Sequence, residues 1–170
     1  MDQKQKNYAF IDSQNLNLAI RDCGWRLDFS KFRKYLADRF DVVKAYIFIG
    51  IIPTNQLLYT YLQNSGYILV FKPTLLLPGG KVKGNVDAEL VLHAMIEYDN
   101  YDEAVIVSGD GDFHCLIEHL KQDGKLNRLI IPNKYKYSSL LRLFADDITF
   151  LNNTREKLGK TKKPNSSDKT

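Results

Sequence analysis

Short apolar runs alternate along this chain with segments of helical periodicity, and this alternation constrains the fold more than any other feature. The apolar runs cover residues 8–11, 42–51, 67–71, 104–108 and 129–131, and residues 148–151 are a candidate edge strand. Apolar side chains recur at helical spacing in residues 15–21, 29–40, 55–64, 86–98, 112–122 and 138–144. Apolar strands separated by helices are typical of a parallel sheet that is covered on both faces. We therefore predict an α/β domain with three layers and a mostly parallel sheet of about five strands.

The end of the chain differs in composition from the rest. Residues 152–170 contain Leu158 as their only large apolar side chain, which predicts a basic disordered tail after a domain of residues 1–151. From Arg155 onward, six basic and two acidic side chains account for the whole net charge of +4, and the preceding residues are neutral with 18 of each. A nucleic-acid surface on the domain must therefore come from local clustering of cations.

The sequence shows neither a membrane span nor a targeting segment. No apolar run approaches the ~20 residues of a membrane-spanning helix, and the polar N-terminus lacks the apolar centre of a signal peptide. Cys23 and Cys115 lack metal-type and redox-type spacing, which favours buried free thiols in a reducing compartment. We therefore expect a cytoplasmic protein without a membrane partner.

Four aspartates lie where a predicted strand or loop passes into a helix: Asp12, Asp87, Asp110 and Asp112. Because the carboxyl ends of parallel strands meet at one edge of the sheet, these side chains should lie close together. An aspartate at a helix start is also a common cap, so a purely structural role stays open for each of them. Asp110-Gly111-Asp112 is the most specific piece, since glycine lets the backbone turn tightly between two acids. Ligands that are all oxygen favour Mg²⁺ or Mn²⁺ over zinc.

The residues around Asp12 exclude several classes of phosphate-handling protein. Gln14 stands where an aspartyl phosphatase has its second acid. No glycine-rich turn follows the first strand, so neither a dinucleotide fingerprint nor a P-loop is present. Clustered carboxylates without a phosphate-binding loop favour hydrolysis by a water molecule that a divalent cation activates, most commonly of phosphodiesters.

Three segments resemble the NYN domain family, in its LabA-like branch, which belongs to the PIN-like nuclease superfamily. They are residues 11–16 (IDSQNL), 83–87 (KGNVD) and 107–113 (VSGDGDF), and the likeness spans residues 8 to about 150. The resemblance implies a PIN-like Rossmannoid fold and a metal-dependent nuclease that acts as an endoribonuclease. It also implies that Asp12, Asp87, Asp110 and Asp112 are catalytic and bind Mg²⁺ or Mn²⁺, with Asn15 and Ser108 orienting them.

Two positions depart from the pattern of that family. Ser13 stands where many relatives have glycine, and His93 stands where another acid is expected. A neutral imidazole suits Mn²⁺ or zinc better than Mg²⁺, but we favour the simpler interpretation of a histidine on a partly buried helix face. Glu89, one helical turn before His93, is interpreted as a solvated acid, with a ligand role left open.

Two basic segments are candidates for binding a phosphate backbone. One is the loop at residues 72–84, which leads to Asp87, and the other is residues 134–137, which follow the fifth strand. Cations that alternate with aromatic residues offer phosphate pairing and base stacking, as a single-stranded substrate needs, although ordinary solvated loops explain them equally well. The candidate nucleic-acid ligands are Lys81, Lys83, Lys134, Tyr135 and Lys136.

The function that we predict is metal-dependent hydrolysis of RNA, single-stranded or structured. Two alternatives stay open. Ser13 and His93 would suit a non-catalytic module that binds RNA or a protein, and the same carboxylates would suit a metal-dependent phosphatase or nucleotidase for small substrates. The apolar run at residues 74–77 is unusual for a loop, and it could pack on the sheet or join two subunits of a homodimer.

Overall fold

The structure is a computed structural model, and it describes residues 3–80, 82–83 and 85–161. The strands are β1 (Asn7–Asp12), β2 (Val42–Gly50), β3 (Tyr67–Lys72), β4 (Leu75–Leu76), β5 (Val82–Lys83), β6 (Ala104–Val107), β7 (Leu126–Ile131) and β8 (Ile148–Phe150). The α-helices are α1 (Ser13–Asp22), α2 (Phe29–Phe40), α3 (Gln56–Asn64), α4 (Asp87–Ile96), α5 (His114–Gln122) and α6 (Arg155–Leu158). Short 3₁₀ helices cover Gly111–Phe113, Ser139–Asp147 and Asn152–Thr154.

Six strands form one sheet in the order β3-β2-β1-β6-β7-β8, and every neighbouring pair is parallel. The predicted α/β class with a parallel sheet is therefore confirmed. The sheet has six strands rather than about five, because the candidate edge strand pairs with β7 as β8. The strand order changes direction at β1, which bonds to β2 on one side and to β6 on the other.

The two faces of the sheet carry separate apolar cores. Residues of β1 alternate between them: Ala9 and Ile11 face α1 and α2, whereas Tyr8 and Phe10 face α4 and α5. Such alternation follows from the two-residue period of a strand. Burial on both faces explains why all six residues of β1 are buried, and this gives the three-layer arrangement expected of a doubly covered sheet.

The predicted loop at residues 72–84 contains structure that the sequence did not indicate. Leu75 and Leu76 pair antiparallel with Lys83 and Val82, so β4 and β5 form a two-stranded ribbon outside the main sheet. Leu75 is 67% exposed. The apolar side chain of Leu75 therefore does not pack on the sheet, which was one of the two roles suggested for this run.

The prediction of a disordered tail from residue 152 onward was wrong for residues 152–161. A 3₁₀ helix and α6 lie there, and Leu158 is 1% exposed in the same core as Trp25 and Leu27. The backbone N–H of Asp28 donates to Leu158 O at 2.8 Å, which ties α6 to the segment before α2. One apolar side chain and a few backbone bonds are enough to order the segment, although its composition is polar. Residues 162–170 lie outside the described residues.

Two smaller expectations concern the cysteines and the membrane. Both cysteines are free, but Cys23 is only half-buried and Cys115 is exposed, so their predicted burial was wrong. The longest helix in the described ranges, α2, has 12 residues. No helix in those ranges has both the length and the apolar character needed to cross a bilayer, for which ~20 residues are required.

We expect Leu158→Ala to lower the free energy of unfolding by about 2–5 kcal/mol, because the change leaves a cavity in a packed core. Leu57→Ala is the matched control, since Leu57 is 89% exposed and its loss should change stability by less than about 0.5 kcal/mol. Urea denaturation of both variants measures the difference. Equal, small effects for the two leucines would show that α6 does not stabilise the domain.

Candidate metal centre

Asp12 is the last residue of β1 and caps the following helix. Its Oδ1 accepts from the backbone N–H of Asn15 at 3.2 Å, and its Oδ2 accepts from the hydroxyl of Ser108 at 3.3 Å. The carboxylate is only 5% exposed. Burial raises the pKa of Asp12, the hydrogen bonds from Asn15 and Ser108 partly offset this, and the charge of Asp110 raises the pKa further.

Asp110 follows β6 and is held beside Asp12 by a small hydrogen-bond network. The backbone N–H of Asp110 donates to Ser108 Oγ at 3.1 Å, and the N–H of Gly109 donates to Asn15 Oδ1 at 2.8 Å. Asn15 and Ser108 therefore each contact both the end of β1 and the loop after β6. Ser108 contacts the Asp12 carboxylate with its side chain, whereas Asn15 contacts Asp12 through its backbone N–H and Gly109 through its side chain.

Asp87 reaches the same place from a third element, the first turn of α4. Its backbone N–H donates to Asn85 Oδ1 at 2.8 Å. Its Oδ2 is buried and has no hydrogen-bond partner in the part of the chain that the structure describes. The pKa of Asp87 is raised to about 6, mainly by burial and also by the charges of Asp110, Asp12 and Asp112, while the hydrogen bond with Asn85 opposes the rise.

Asp12, Asp87 and Asp110 form one cluster. Each offers a carboxylate oxygen, and these oxygens lie within 4.8 Å of one another. Oxygens that share a divalent cation lie roughly 3–5 Å apart, because each metal–oxygen bond is about 2.0–2.6 Å long. The spacing, the all-oxygen ligands and the unpartnered Asp87 oxygen all fit Mg²⁺ or Mn²⁺. The cluster lines an open cleft of about 360 Å³.

Asp112 is the predicted ligand that the structure does not bring into this cluster. Its backbone N–H donates to Asp110 Oδ1 at 2.9 Å, while its own side chain is exposed. The reason is that Asp112 lies in the 3₁₀ helix Gly111–Phe113, which buries Gly111 and Phe113 and leaves Asp112 exposed. Asp112 therefore lies at the rim, close enough for its charge to raise the pKa of Asp87.

Gly111 is required by close packing in this turn. A Cβ atom at this position would collide with Ser138 Oγ and would lie 2.8 Å from Ser138 Cβ. The residue after Asp110 must therefore lack a side chain if the 3₁₀ helix beginning at Ser139 is to stay in place.

Comparison with known proteins identifies the family to which this fold and site belong. The sequence profile of the NYN domain matches residues 7–152. The chain belongs to the NYN domain family. The protein is 29% identical over 165 residues to the low amplitude and bright protein LabA of Synechococcus elongatus, covering 91% of this chain and 88% of LabA.

A solved structure supports the fold of this NYN domain. The crystal structure of a protein of unknown function from Vibrio parahaemolyticus superposes with a TM-score of 0.74, covering 94% of this chain and 99% of that one at 24% identity. The predicted NYN domain family is thus confirmed, the fold is consistent with the predicted PIN-like fold, and the similarity to LabA agrees with the predicted LabA-like branch.

Glu89 and His93, the two residues of α4 for which a ligand role was considered, lie outside the carboxylate cluster. The centroid of the His93 ring lies 5.5 Å from the ring centroid of Phe48 and 6.4 Å from that of Tyr46. His93 therefore packs among aromatic side chains on a half-buried helix face. Glu89 lies 3.5 Å from Lys72 Nζ, and the same ammonium donates to the carbonyl of Asn85. Lys72 therefore holds the segment that delivers Asp87.

The predicted phosphate ligands are only partly brought to the cleft. Lys136 lines it and lies 3.5 Å from Asp22. Lys134 and Tyr135 are exposed next to it in sequence, with the ammonium of Lys134 5.0 Å from the centre of the Tyr135 ring. Lys83 belongs to β5, but its side chain is not described, and Lys81 lies outside the described residues.

A second cleft beside the carboxylates was not foreseen from the sequence. It has a volume of about 330 Å³ and shares Gln14, Leu18 and Val86 with the acidic cleft. Its walls combine apolar side chains with the amides of Asn17 and Asn55. Its residues come from α1, α2, β2, α3 and the segments before α3, β4 and α4, so no sequence motif marks it.

In EDTA, we expect the stability of Asp87→Asn relative to the wild type to increase as the pH rises from about 4 to about 6. The unfolded carboxyl loses its proton near 3.8, whereas the folded one keeps it until about 6, so ionisation destabilises only the wild-type native state across this window. Denaturation midpoints over this pH range measure the effect. Asp99→Asn controls for loss of an exposed carboxylate, and a difference for Asp87→Asn that does not vary with pH would contradict the prediction.

Proposed function

We propose that this NYN domain is a metal-dependent ribonuclease, with Asp12, Asp87 and Asp110 as the residues that hold Mg²⁺ or Mn²⁺. The observation that carries the proposal is the convergence of three carboxylates from separate elements, one of them with a buried oxygen that lacks a partner. Like charges at this separation repel unless a cation lies between them. Membership of a family of PIN-like nucleases supports the same conclusion.

Each side chain of the proposed site has a distinct task. A divalent cation bound there would supply an acidified water molecule and offset the negative charge that develops on the phosphate. Asp12 and Asp110 are held in position by Asn15 and Ser108, so they form the rigid part of the site. Asp87 has a free oxygen and a raised pKa, which suits it to bind the ion or to accept a proton from water. Asp112 would complete the site from its rim.

The surroundings of the carboxylates favour a nucleic-acid chain as the substrate. Lys136 lines the cleft, where its ion pair with Asp22 is exposed and a phosphate would compete for its ammonium, and Lys134 and Tyr135 lie next to it on the same exposed loop. The adjoining apolar cleft offers a surface for a base and amides for its polar edge, which are the usual means of binding single-stranded RNA. We also propose Lys81 and Lys83 as phosphate ligands, because they shortly precede Asp87 in the sequence.

Labelled RNA should be cleaved in Mg²⁺ or Mn²⁺ and not in EDTA. We expect Asp12→Asn and Asp110→Asn each to lower the rate at least about 100-fold, because each removes a charged ligand of the metal. Asp22→Asn is the matched control, since Asp22 lines the same cleft outside the cluster, and its loss, which frees Lys136 from its ion pair, should not lower the rate.

Other outcomes of the cleavage assay would replace the proposal with one of its rivals. RNA binding without cleavage under any metal condition would identify a binding module. Turnover of mononucleotides but not of oligomers would identify a phosphatase or nucleotidase, and preferential cleavage of DNA oligomers would reassign the substrate.

Millimolar Mg²⁺ or Mn²⁺ should raise the melting temperature of the wild type. A ligand at 100 times its Kd that binds only the native state stabilises it by about 2.7 kcal/mol, which corresponds to roughly 5–10 °C in a domain of this size. Asp22→Asn should respond like the wild type, and Asp110→Asn should respond much less. Calorimetry with and without each ion measures this independently of activity. A wild-type melting temperature that ignores both ions would count against the metal site.

A further inference from the structure

A groove on the α1/α2 side of the sheet concentrates positive charge. We call it the α2–α6 groove. It has a volume of about 790 Å³ and is lined by the five cations Lys31, Lys34, Arg39, Arg128 and Lys157, with Asp38 as the single acid. Since the chain before residue 155 is neutral overall, this is the kind of local clustering that a nucleic-acid surface requires.

Three distant segments of sequence build the groove. Lys31, Lys34 and Asp38 share one face of α2, because residues three and four apart on a helix are neighbours. Arg128 comes from β7. Lys157 is placed by α6, whose neighbouring Leu158 is buried in the core. The basic end of the chain thus begins beside cations that already belong to the domain.

Three of the five cations, Lys31, Arg128 and Lys157, are held in place by neutral groups. Lys31 Nζ donates to Gly159 O at 3.2 Å, and Arg128 Nη1 donates to Asp146 O at 3.1 Å. Lys157 Nζ lies 5.2 Å from the centre of the Tyr35 ring. Within the described ranges none of the five forms a salt bridge. Ion pairs therefore do not neutralise these five charges, and a row of anions would relieve their repulsion.

The shape of the groove favours a polymer over a single small anion. Lys31 and Arg39 are eight residues apart on α2, or roughly 12 Å at 1.5 Å per residue, so the cations can contact several phosphates. The same helix also reaches the site already described. Phe29, the first residue of α2, lines the apolar cleft that joins the acidic cleft.

We propose that the α2–α6 groove binds the backbone phosphates of single-stranded RNA, in a segment other than the one at the carboxylates. The choice of RNA rests on the proposed function, whereas the requirement for a polyanion rests on the charges alone. The groove would add affinity without reading sequence, because phosphate contacts carry no base information.

The test compares two double variants of the full chain. Lys34→Gln/Lys157→Gln removes two charges from the groove. The control, Lys6→Gln/Lys44→Gln, removes two exposed lysines elsewhere. Both pairs include a lysine that lies over a tyrosine ring. Lys44 Nζ is 5.4 Å from the centre of the Tyr8 ring, and Lys157 Nζ is 5.2 Å from that of Tyr35. Fluorescence anisotropy with a labelled single-stranded RNA of 30 nucleotides, in EDTA and over a range of salt concentrations, gives Kd and its salt dependence. Urea denaturation verifies that both variants fold.

For the groove variant we expect Kd to rise about tenfold. The salt dependence should weaken, with the magnitude of the slope of log association constant against log salt decreasing by about 1.4, since each phosphate contact on a single strand contributes about 0.7. The control variant should stay within about twofold of the wild type. Equal weakening of the two variants would overturn the proposal, because it would show a general effect of net charge. Unchanged binding by the groove variant would also overturn it.

Because binding is measured without metal, the outcome does not depend on cleavage. Tight RNA binding that needs Lys34 and Lys157, in a protein that cleaves nothing, would support the groove and refute the nuclease. If the protein cleaves RNA but the groove variant binds RNA like the wild type, the nuclease would be supported and the groove refuted.

Discussion

The central position of β1 is the constraint on which the rest of this protein depends. Its backbone bonds to β2 and β6 on opposite sides, so the chain must cross to one side of β1, return, and then continue on the other. A ligand site is expected where the strand order changes direction in this way. Asp12 ends the central strand and Asp110 follows its neighbour, so pairing of the strands is what brings the two carboxylates together despite 97 intervening residues.

The parts of the site that follow from strand ends could be predicted from the sequence. The apolar runs identified β1 and β6, and Asp12 and Asp110 had to lie at their shared edge. Asp87 was predictable as the first acid of a helix, and the resemblance to a family placed that helix beside the strands. The position of Asp112 outside the cluster of three carboxylates was not predictable, because alternation and spacing do not reveal a single turn of 3₁₀ helix that leaves one of its three residues exposed.

The features that the sequence did not reveal depend on contacts between distant segments. Polar composition predicted disorder after residue 151, yet one buried leucine and a few backbone bonds to residues 26–28 order the chain as far as α6. The α2–α6 groove was invisible for the same reason, since Lys31, Arg128 and Lys157 are neighbours only in the folded protein. Charge counted along the chain located an excess of cations after residue 155 but did not reveal this clustering on the surface.

The packing of Gly111 against Ser138 has a consequence for how this site can change over evolutionary time. A larger residue at position 111 is excluded while position 138 carries a side chain, because the two would occupy the same space. Ser138 in turn begins the helix that leads to β8, its hydroxyl accepting from the N–H of Leu140 at 3.3 Å. Substitutions in the turn between Asp110 and Asp112 and in the segment leading to the edge of the sheet are therefore coupled. Homologues that lose this glycine are expected to differ at position 138 as well, so the two positions should covary.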